Sequence, residues 1–261
     1  MTEPVLERIL ATKREEVATM AARLDSIGAP RVAPSLDVDR LRRQQRLALW
    51  TEIKRRSPSV GALSTALSPV ERARVYEREG ASVISVLTDR TFFDGSFEVL
   101  RDVASSVSTP CLCKEFVIDE LQVEAAVRAG ARLVLLIARI VDAETLASLV
   151  RAARRRGLEP LVEVVTEAEL ESALRAGARV IGVNARDLDT LVMDASRARR
   201  VLAAIPERCV AVYLSGVRSG DEIASLASST RADGVLTGEA LMREDEPSSL
   251  LRAMIAGATL R

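Results

Sequence analysis

From residue 47 onward the chain alternates short, nearly continuous apolar runs with longer stretches whose apolar residues recur every three or four positions. An apolar run of roughly four to eight residues bounded by turn residues reads as a buried strand, whereas the wider spacing reads as a helix with one buried face. Strands are predicted near Leu47–Ile53, Ser82–Leu87, Pro110–Lys114, Arg132–Ile137, Glu159–Val164, Val180–Asn184, Cys209–Leu214 and Gly234–Thr237. Helices are predicted between them, among others at Pro69–Glu79, Glu120–Ala129, Ala143–Arg156, Thr166–Ala176 and Asp221–Ser228. Such alternation predicts an α/β protein with a parallel sheet covered by helices, and eight units in one chain predict closure into a single (β/α)8 TIM barrel.

An internal repeat supports the count. EREGASVISV, VRAGARLVLLI and LRAGARVIGV each place a helix end, a glycine and a strand around Gly80, Gly130 and Gly177, and TRADGVLTG is a degenerate fourth copy. A doubly wound open sheet would share the alternation, but no G-x-G-x-x-G turn follows an early strand. Ahead of the first strand, residues 1–45 read as a helix at Pro4–Leu24, a proline-containing linker at Gly28–Pro34 and a short polar helix. The predicted organisation is an N-terminal helical extension, 1–45, packed on a barrel domain, 46–261.

Composition narrows the chemistry. The 261 residues hold 37 Lys plus Arg against 37 Asp plus Glu, so no overall field draws in nucleic acid or an anionic membrane, and an anionic ligand must be held locally. No apolar run approaches the roughly 20 residues of a membrane span, and Met1–Met20 lacks the apolar core of a secretory signal, so a cytoplasmic protein is expected. The arginine-rich stretch Arg151–Arg156 reads as a solvated helix face, and Cys111, Cys113 and Cys209 as small buried hydrophobes. Histidine is absent, which removes Ser-His-Asp and Cys-His triads, histidine metal sites and imidazole proton transfer together. Proton transfer falls to Lys, Glu or Asp.

In a closed barrel alternate strand residues point inward, and active sites lie at the C-terminal strand ends. Glu52 and Lys54 stand two apart at the first strand's end, so both face inward. Lys114 faces inward with Leu112 while Cys111 and Cys113 face the helices; Glu163 accompanies Leu161, Asn184 ends the sixth strand and Ser215 follows the seventh. A single charged residue at a strand end has often merely met water, but polar groups on five ends point to one mouth. Lys–Glu pairs there supply acid and base without histidine. Gly216 and Gly238, after strands seven and eight, suit backbone N–H contacts to a phosphate. Phe92, Phe93 and Phe116 follow strands two and three and suit a planar apolar group, or cap the barrel.

The blocks TEIKRRSPSVG, SVLTDRTFFDGS, CKEFVIDELQVEAAVRAGARLVLLIARI, LVEVVTEAELESALRAGARVIGVNARDLDTL, LSGVRSG and VLTGEALM resemble the successive signatures of indole-3-glycerol-phosphate synthases, from about residue 4 to residue 256. The resemblance implies conversion of 1-(2-carboxyphenylamino)-1-deoxyribulose 5-phosphate to indole-3-glycerol phosphate in tryptophan biosynthesis, a carboxy-lyase reaction releasing carbon dioxide and water with no metal and no organic cofactor. It implies Lys114 as the general acid of ring closure and Glu163 as the proton-handling group of dehydration, with Glu52 and Lys54 as a positioning pair. Asn184 and Ser215 would hold the reacting sugar, Arg186 would order the nearby loop, Ser57, Gly216, Gly238 and Lys54 would serve the phosphate, and Phe93, Phe116 and Leu188 the anthranilate ring. The extension would lie over the active-site end. The expected partner is a phosphorylated small molecule, with no nucleic acid or membrane; the chain is expected to be a monomer that could associate with other tryptophan-pathway enzymes.

Four positions depart from that family's pattern: Glu115 follows Lys114 in place of Asp, Leu214 stands where a Glu precedes Ser-Gly, Val165 replaces a frequent His, and Ser59-Val60-Gly61 alters the first loop. Two rivals remain: another phosphate-binding barrel enzyme such as a phosphoribosyl isomerase, which usually carries an acid-base Asp or Cys on strands one and five, and a weakened paralogue acting as a binding subunit, for which Lys114 or Glu163 would be lost.

Overall fold

The computed structural model describes residues 5–57, 61–187 and 192–259. Eight strands form a closed, all-parallel barrel: β1 Ala48–Ile53, β2 Val83–Leu87, β3 Cys111–Lys114, β4 Leu133–Ile137, β5 Glu159–Val164, β6 Val180–Asn184, β7 Val210–Leu214 and β8 Gly234–Thr237. Each strand pairs with its sequence neighbours, and β1 pairs with β8 to close the ring. The helices at Pro69–Arg78, Glu120–Arg128, Ala143–Arg155, Glu167–Arg175 and Gly220–Ser229 return the chain between strands as expected. The repeated Gly80, Gly130 and Gly177 end their helices in the left-handed conformation, at φ of 93°, 88° and 82°, which the absence of a Cβ allows.

Alternation along the strands splits the apolar residues into two cores. Outward-facing positions such as Cys111, Cys113, Val134, Val162 and Ile181 pack under the helices. Inward-facing positions, among them Trp50, Leu112, Leu135, Leu161, Val212, Leu214 and Leu236, fill the barrel. The indole of Trp50 fits because Gly234 faces it: a Cβ there would lie 3.0 Å from Trp50 Nε1. Above this filled interior, a cavity opens at the C-terminal strand ends.

The extension differs in detail from expectation. Helix α1 runs Val5–Met20, followed by a 3-10 turn at Ala21–Arg23 and a single helical turn at Leu24–Ile27, rather than one helix to Leu24; Pro4 lies outside the described residues. The expected polar helix is a 3-10 turn, Val38–Leu41, whose Leu41 is buried in the barrel's inner core. Between them the chain crosses the lower rim, where Ala33 N donates to Arg156 O at 2.9 Å and Arg42 donates to Glu207 O and Arg208 O. The arginine-rich stretch is not simply solvated: Arg154 pairs with Glu159 at 3.2 Å and Arg156 with Glu124 at 2.9 Å, both half-buried. Glu124 comes from the neighbouring helix Glu120–Arg128 and Glu159 from the start of β5, so a pattern read along one helix does not show them.

Candidate active site

At the C-terminal ends of the strands lies a cavity of about 630 Å³. Its wall includes Glu52, Lys54, Lys114, Glu163, Asn184, Ser215, Ser57, Phe93, Phe116, Arg186, Gly216 and Gly238. Every expected site residue among the described ones is therefore in one place; Leu188 lies outside them. Phe92 packs beside the cavity rather than lining it.

Inward alternation on β1 and β3 aims Glu52, Lys54 and Lys114 at one another. Glu52 Oε1 lies 2.9 Å from Lys54 Nζ, and Oε2 lies 3.0 Å from Lys114 Nζ. Burial alone would raise the Glu52 carboxyl, but the ammonium groups of Lys114 and Lys54 outweigh it and hold the carboxyl down at about 2. Burial likewise works against the charge on Lys114, yet the facing carboxylates of Glu52 and Glu163 raise its pKa above the ordinary lysine value. Lys114 is thus a stable ammonium inside a low-dielectric mouth, a proton donor held in place by a carboxylate.

Glu163 is set apart from that clamp. Asn184 Nδ2, on the neighbouring strand β6, donates to Glu163 Oε1 at 2.8 Å, and Asn184 Oδ1 accepts from Arg186 N at 2.9 Å. Burial pushes the Glu163 carboxyl up, and Lys114 and the Asn184 hydrogen bond offset this only in part. Two buried carboxyls with pKa values moved in opposite directions thus flank one lysine, an arrangement suited to separate electrostatic and proton-carrying roles.

The seventh and eighth strand ends are backbone-rich. Ser215 and Gly216 both take positive φ, 70° and 87°, so successive N–H groups turn toward one side. Gly238 starts the short helix Glu239–Arg243, and a Cβ there would come within 2.5 Å of Glu52 Oε1. Opposite, the rings of Phe93 and Phe116 stand 6.1 Å apart, and Leu6 and Ile9 of α1 complete an apolar wall. Among the described residues no group of three or more His, Cys, Asp or Glu is placed to hold a metal ion.

A family model, Indole-3-glycerol phosphate synthase, matches residues 6–254. The chain is 41% identical over 243 residues to the indole-3-glycerol phosphate synthase of Geobacillus kaustophilus, covering 93% of both chains. It is 40% identical over 249 residues to that of Listeria monocytogenes, covering 95% of this chain and 97% of the relative. The chain belongs to the indole-3-glycerol phosphate synthase family. As a member it is a carboxy-lyase of the tryptophan-biosynthesis class. Among solved structures a 3-hexulose-6-phosphate synthase matches with a TM-score of 0.66 at 17% identity, covering 81% of this chain and 99% of the other. The tryptophan synthase alpha subunit of Legionella pneumophila matches at 0.58 and 15% identity, covering 81% and 92%. These two show the barrel fold alone.

Three departures from the synthase pattern now have a physical setting. Leu214 does not line the cavity; it is buried in the inner core, where its Cδ1 would lie 2.6 Å from a Cβ on Gly182. Val165 is buried, and its N–H donates to Glu169 Oε2. Glu115 turns from the cavity centre toward α1, where Lys13 Nζ lies 3.1 Å from its Oε1. Leu6 and Ile9 line the cavity, and Lys13 pairs with Asp89 and Glu115 behind its wall; the sequence reading passed over all four. The signal available for Lys13 is its place on the Leu6–Ile9 stripe of the helix, where an apolar residue belongs.

Proposed function

We propose that this pocket carries out indole-3-glycerol phosphate synthesis with Lys114 and Glu163 as its two proton carriers. The observation that supports this most is the single constellation in which an ammonium, clamped by an ionised Glu52, faces a carboxyl whose pKa is raised by burial. Lys114 Nζ gives its proton to the ketone oxygen as the anthranilate ring carbon attacks the carbonyl carbon. The new C–C bond leaves positive charge on the ring nitrogen. The bond to the carboxylate then breaks, its electrons neutralise that nitrogen, and carbon dioxide departs without need of another electron sink.

Dehydration follows. Glu163 protonates the new hydroxyl, which leaves as water, and the resulting carboxylate accepts the proton lost from the adjacent carbon as the indole becomes aromatic. Lys114 regains its proton from solvent, the one net proton that decarboxylation of a carboxylate requires. Each positioned acid contributes roughly 10²–10⁴ in rate, and the water-poor mouth strengthens the charge interactions.

In this reading Glu52 and Lys54 orient the reacting end, and Asn184 and Ser215 hold the sugar hydroxyls. Ser57, Lys54 and the backbone at Gly216 and Gly238 receive the phosphate, with Arg186 ordering the adjoining loop. Phe93 and Phe116 receive the anthranilate ring, a role that the family resemblance also gives to Leu188, which lies outside the described residues. Residues 1–45 form the extension and 46–261 the barrel. We also place the protein in the cytoplasm as a monomer able to associate with other tryptophan-pathway enzymes. In support, among the described residues no helix is long and apolar enough to cross a membrane. Adding the carboxyphenylamino-deoxyribulose phosphate to the purified protein should yield indole fluorescence; no signal at high enzyme concentration overturns the reading.

A further inference from the structure

A buried charge cluster joins the N-terminal helix to the two loops that carry the aromatic end of the pocket. Lys13 of α1 is fully buried, and its Nζ lies 2.6 Å from Asp89 Oδ2, 3.1 Å from Glu115 Oε1 and 2.7 Å from Glu16 Oε2. Asp89 and Glu115 are buried as well. An ammonium is rarely taken out of water completely unless it is paired, so the position is specified strongly.

The two carboxylates have second duties. Asp89 Oδ1 accepts from Phe92 N at 2.6 Å and Phe93 N at 3.1 Å, capping the turn Arg90–Phe93 after β2. Glu115 Oε1 accepts from Phe116 N at 2.8 Å, and its Oε2 accepts from Thr88 Oγ1 at 3.0 Å. The same carboxylates that pair with Lys13 therefore fix the backbone of Phe93 and Phe116, and Glu115 directly follows Lys114. On α1, Leu6 and Ile9 precede Lys13 on one face and reach the cavity wall. Burial disfavours the charge on Lys13, but Glu115 and Asp89 outweigh it and leave the ammonium firmly protonated.

We propose that Lys13 is a positioning residue for substrate binding: it locks the extension to the β2 and β3 loops and so sets the Phe93–Phe116 pair that lines the pocket for the aromatic ring. This rests on the synthase reading above. Lys13 touches no reacting atom; its effect travels through Asp89 and Glu115 to the two phenylalanines. Losing the lock should widen the aromatic pocket while leaving the Glu52–Lys114 clamp and Glu163 in place.

The test compares wild type, Lys13→Met and the uncharged triple variant Lys13→Met/Asp89→Asn/Glu115→Gln. Lys13→Met should lower kcat/KM by roughly 10- to 100-fold, mostly as a raised KM, with the pH profile of kcat unchanged. Simple destabilisation would instead lower the active fraction, and with it the apparent kcat, at constant KM. The triple variant removes the unpaired buried carboxylates and should recover thermal stability while keeping the raised KM, which keeps the test decisive if Lys13→Met folds poorly. Recovery of both stability and KM in the triple variant, or a normal KM in Lys13→Met, overturns the proposal. Hydrogen exchange of the Phe92, Phe93 and Phe116 amides gives a readout independent of turnover: it should quicken in the variants, and unchanged protection contradicts the lock. An inactive wild type with quickened exchange would reject the synthase reading and leave the lock standing.

Discussion

Leu214 packs directly against Gly182 inside the barrel, so closely that a Cβ on the glycine would meet Leu214 Cδ1 at 2.6 Å. The position that carries a carboxylate in the synthase pattern is here part of the apolar floor beneath the cavity, among Leu161 and Leu236. Leu214→Glu would return the family's carboxylate to this position. Because Leu214 is buried among apolar side chains, the variant should lose at least about 2 kcal/mol of stability with no gain in turnover. Thermal unfolding and steady-state assays check both; an unchanged midpoint with a faster rate contradicts the account.

The opposed shifts of Glu52 and Glu163 give a pH dependence with a definite sign. In the proposed mechanism Glu163 is the acid, and its folded pKa is raised by burial, so activity should persist above the ordinary carboxylate range and fall as pH rises through the raised value. Glu163→Gln should lower kcat by roughly 10²–10⁴ and remove that limb of the profile. Glu52 behaves in the opposite sense. With its carboxyl held down at about 2, its pairing contributes stability above the unfolded carboxylate value, and this is lost as pH falls toward 2. Thermal unfolding of wild type and Glu52→Gln across the acid range should converge at low pH; parallel curves would reject the linkage.

Gly238 lies where a methyl group would press on Glu52 Oε1 at 2.5 Å and on its Cβ at 2.9 Å. Gly238→Ala should push Glu52 off the two lysines and lower kcat/KM by roughly tenfold or more. The backbone at this glycine is not left-handed, at φ −131°, so the effect comes from the contact rather than from strain. Steady-state kinetics at normal folded content would show it, and wild-type kinetics would mean that Glu52 is free to move without cost.

Much of this was legible in the residues themselves. β5, β6 and β8 begin and end where the apolar runs do, because strands buried on both faces are apolar throughout and their ends are marked by Glu159, Asn184 and Gly238. The inward set Glu52, Lys54, Lys114, Glu163 and Asn184 followed from alternation and barrel closure. Lys13 did not, because a lysine on a charged helix reads as solvated until its partners arrive from β2 and β3, far away in sequence. The same reason hid the Arg156–Glu124 pairing, whose partners lie on different helices. Gly238 was legible as a phosphate-loop glycine, but its contact with Glu52 exists only once β1 and β8 close the barrel. The inward place of Leu214 follows from alternation; that it lies below the cavity floor depends on how deep the inner core fills.

The central claim is that Lys114 supplies the proton that closes the indole ring. Its most direct test is turnover of the carboxyphenylamino-deoxyribulose phosphate by wild type and by Lys114→Ala at equal folded concentration, following indole fluorescence and carbon dioxide together. Wild type should release one carbon dioxide per indole formed, and Lys114→Ala should fold normally yet lose at least about 10²-fold in kcat. Near-normal turnover by Lys114→Ala would contradict the account.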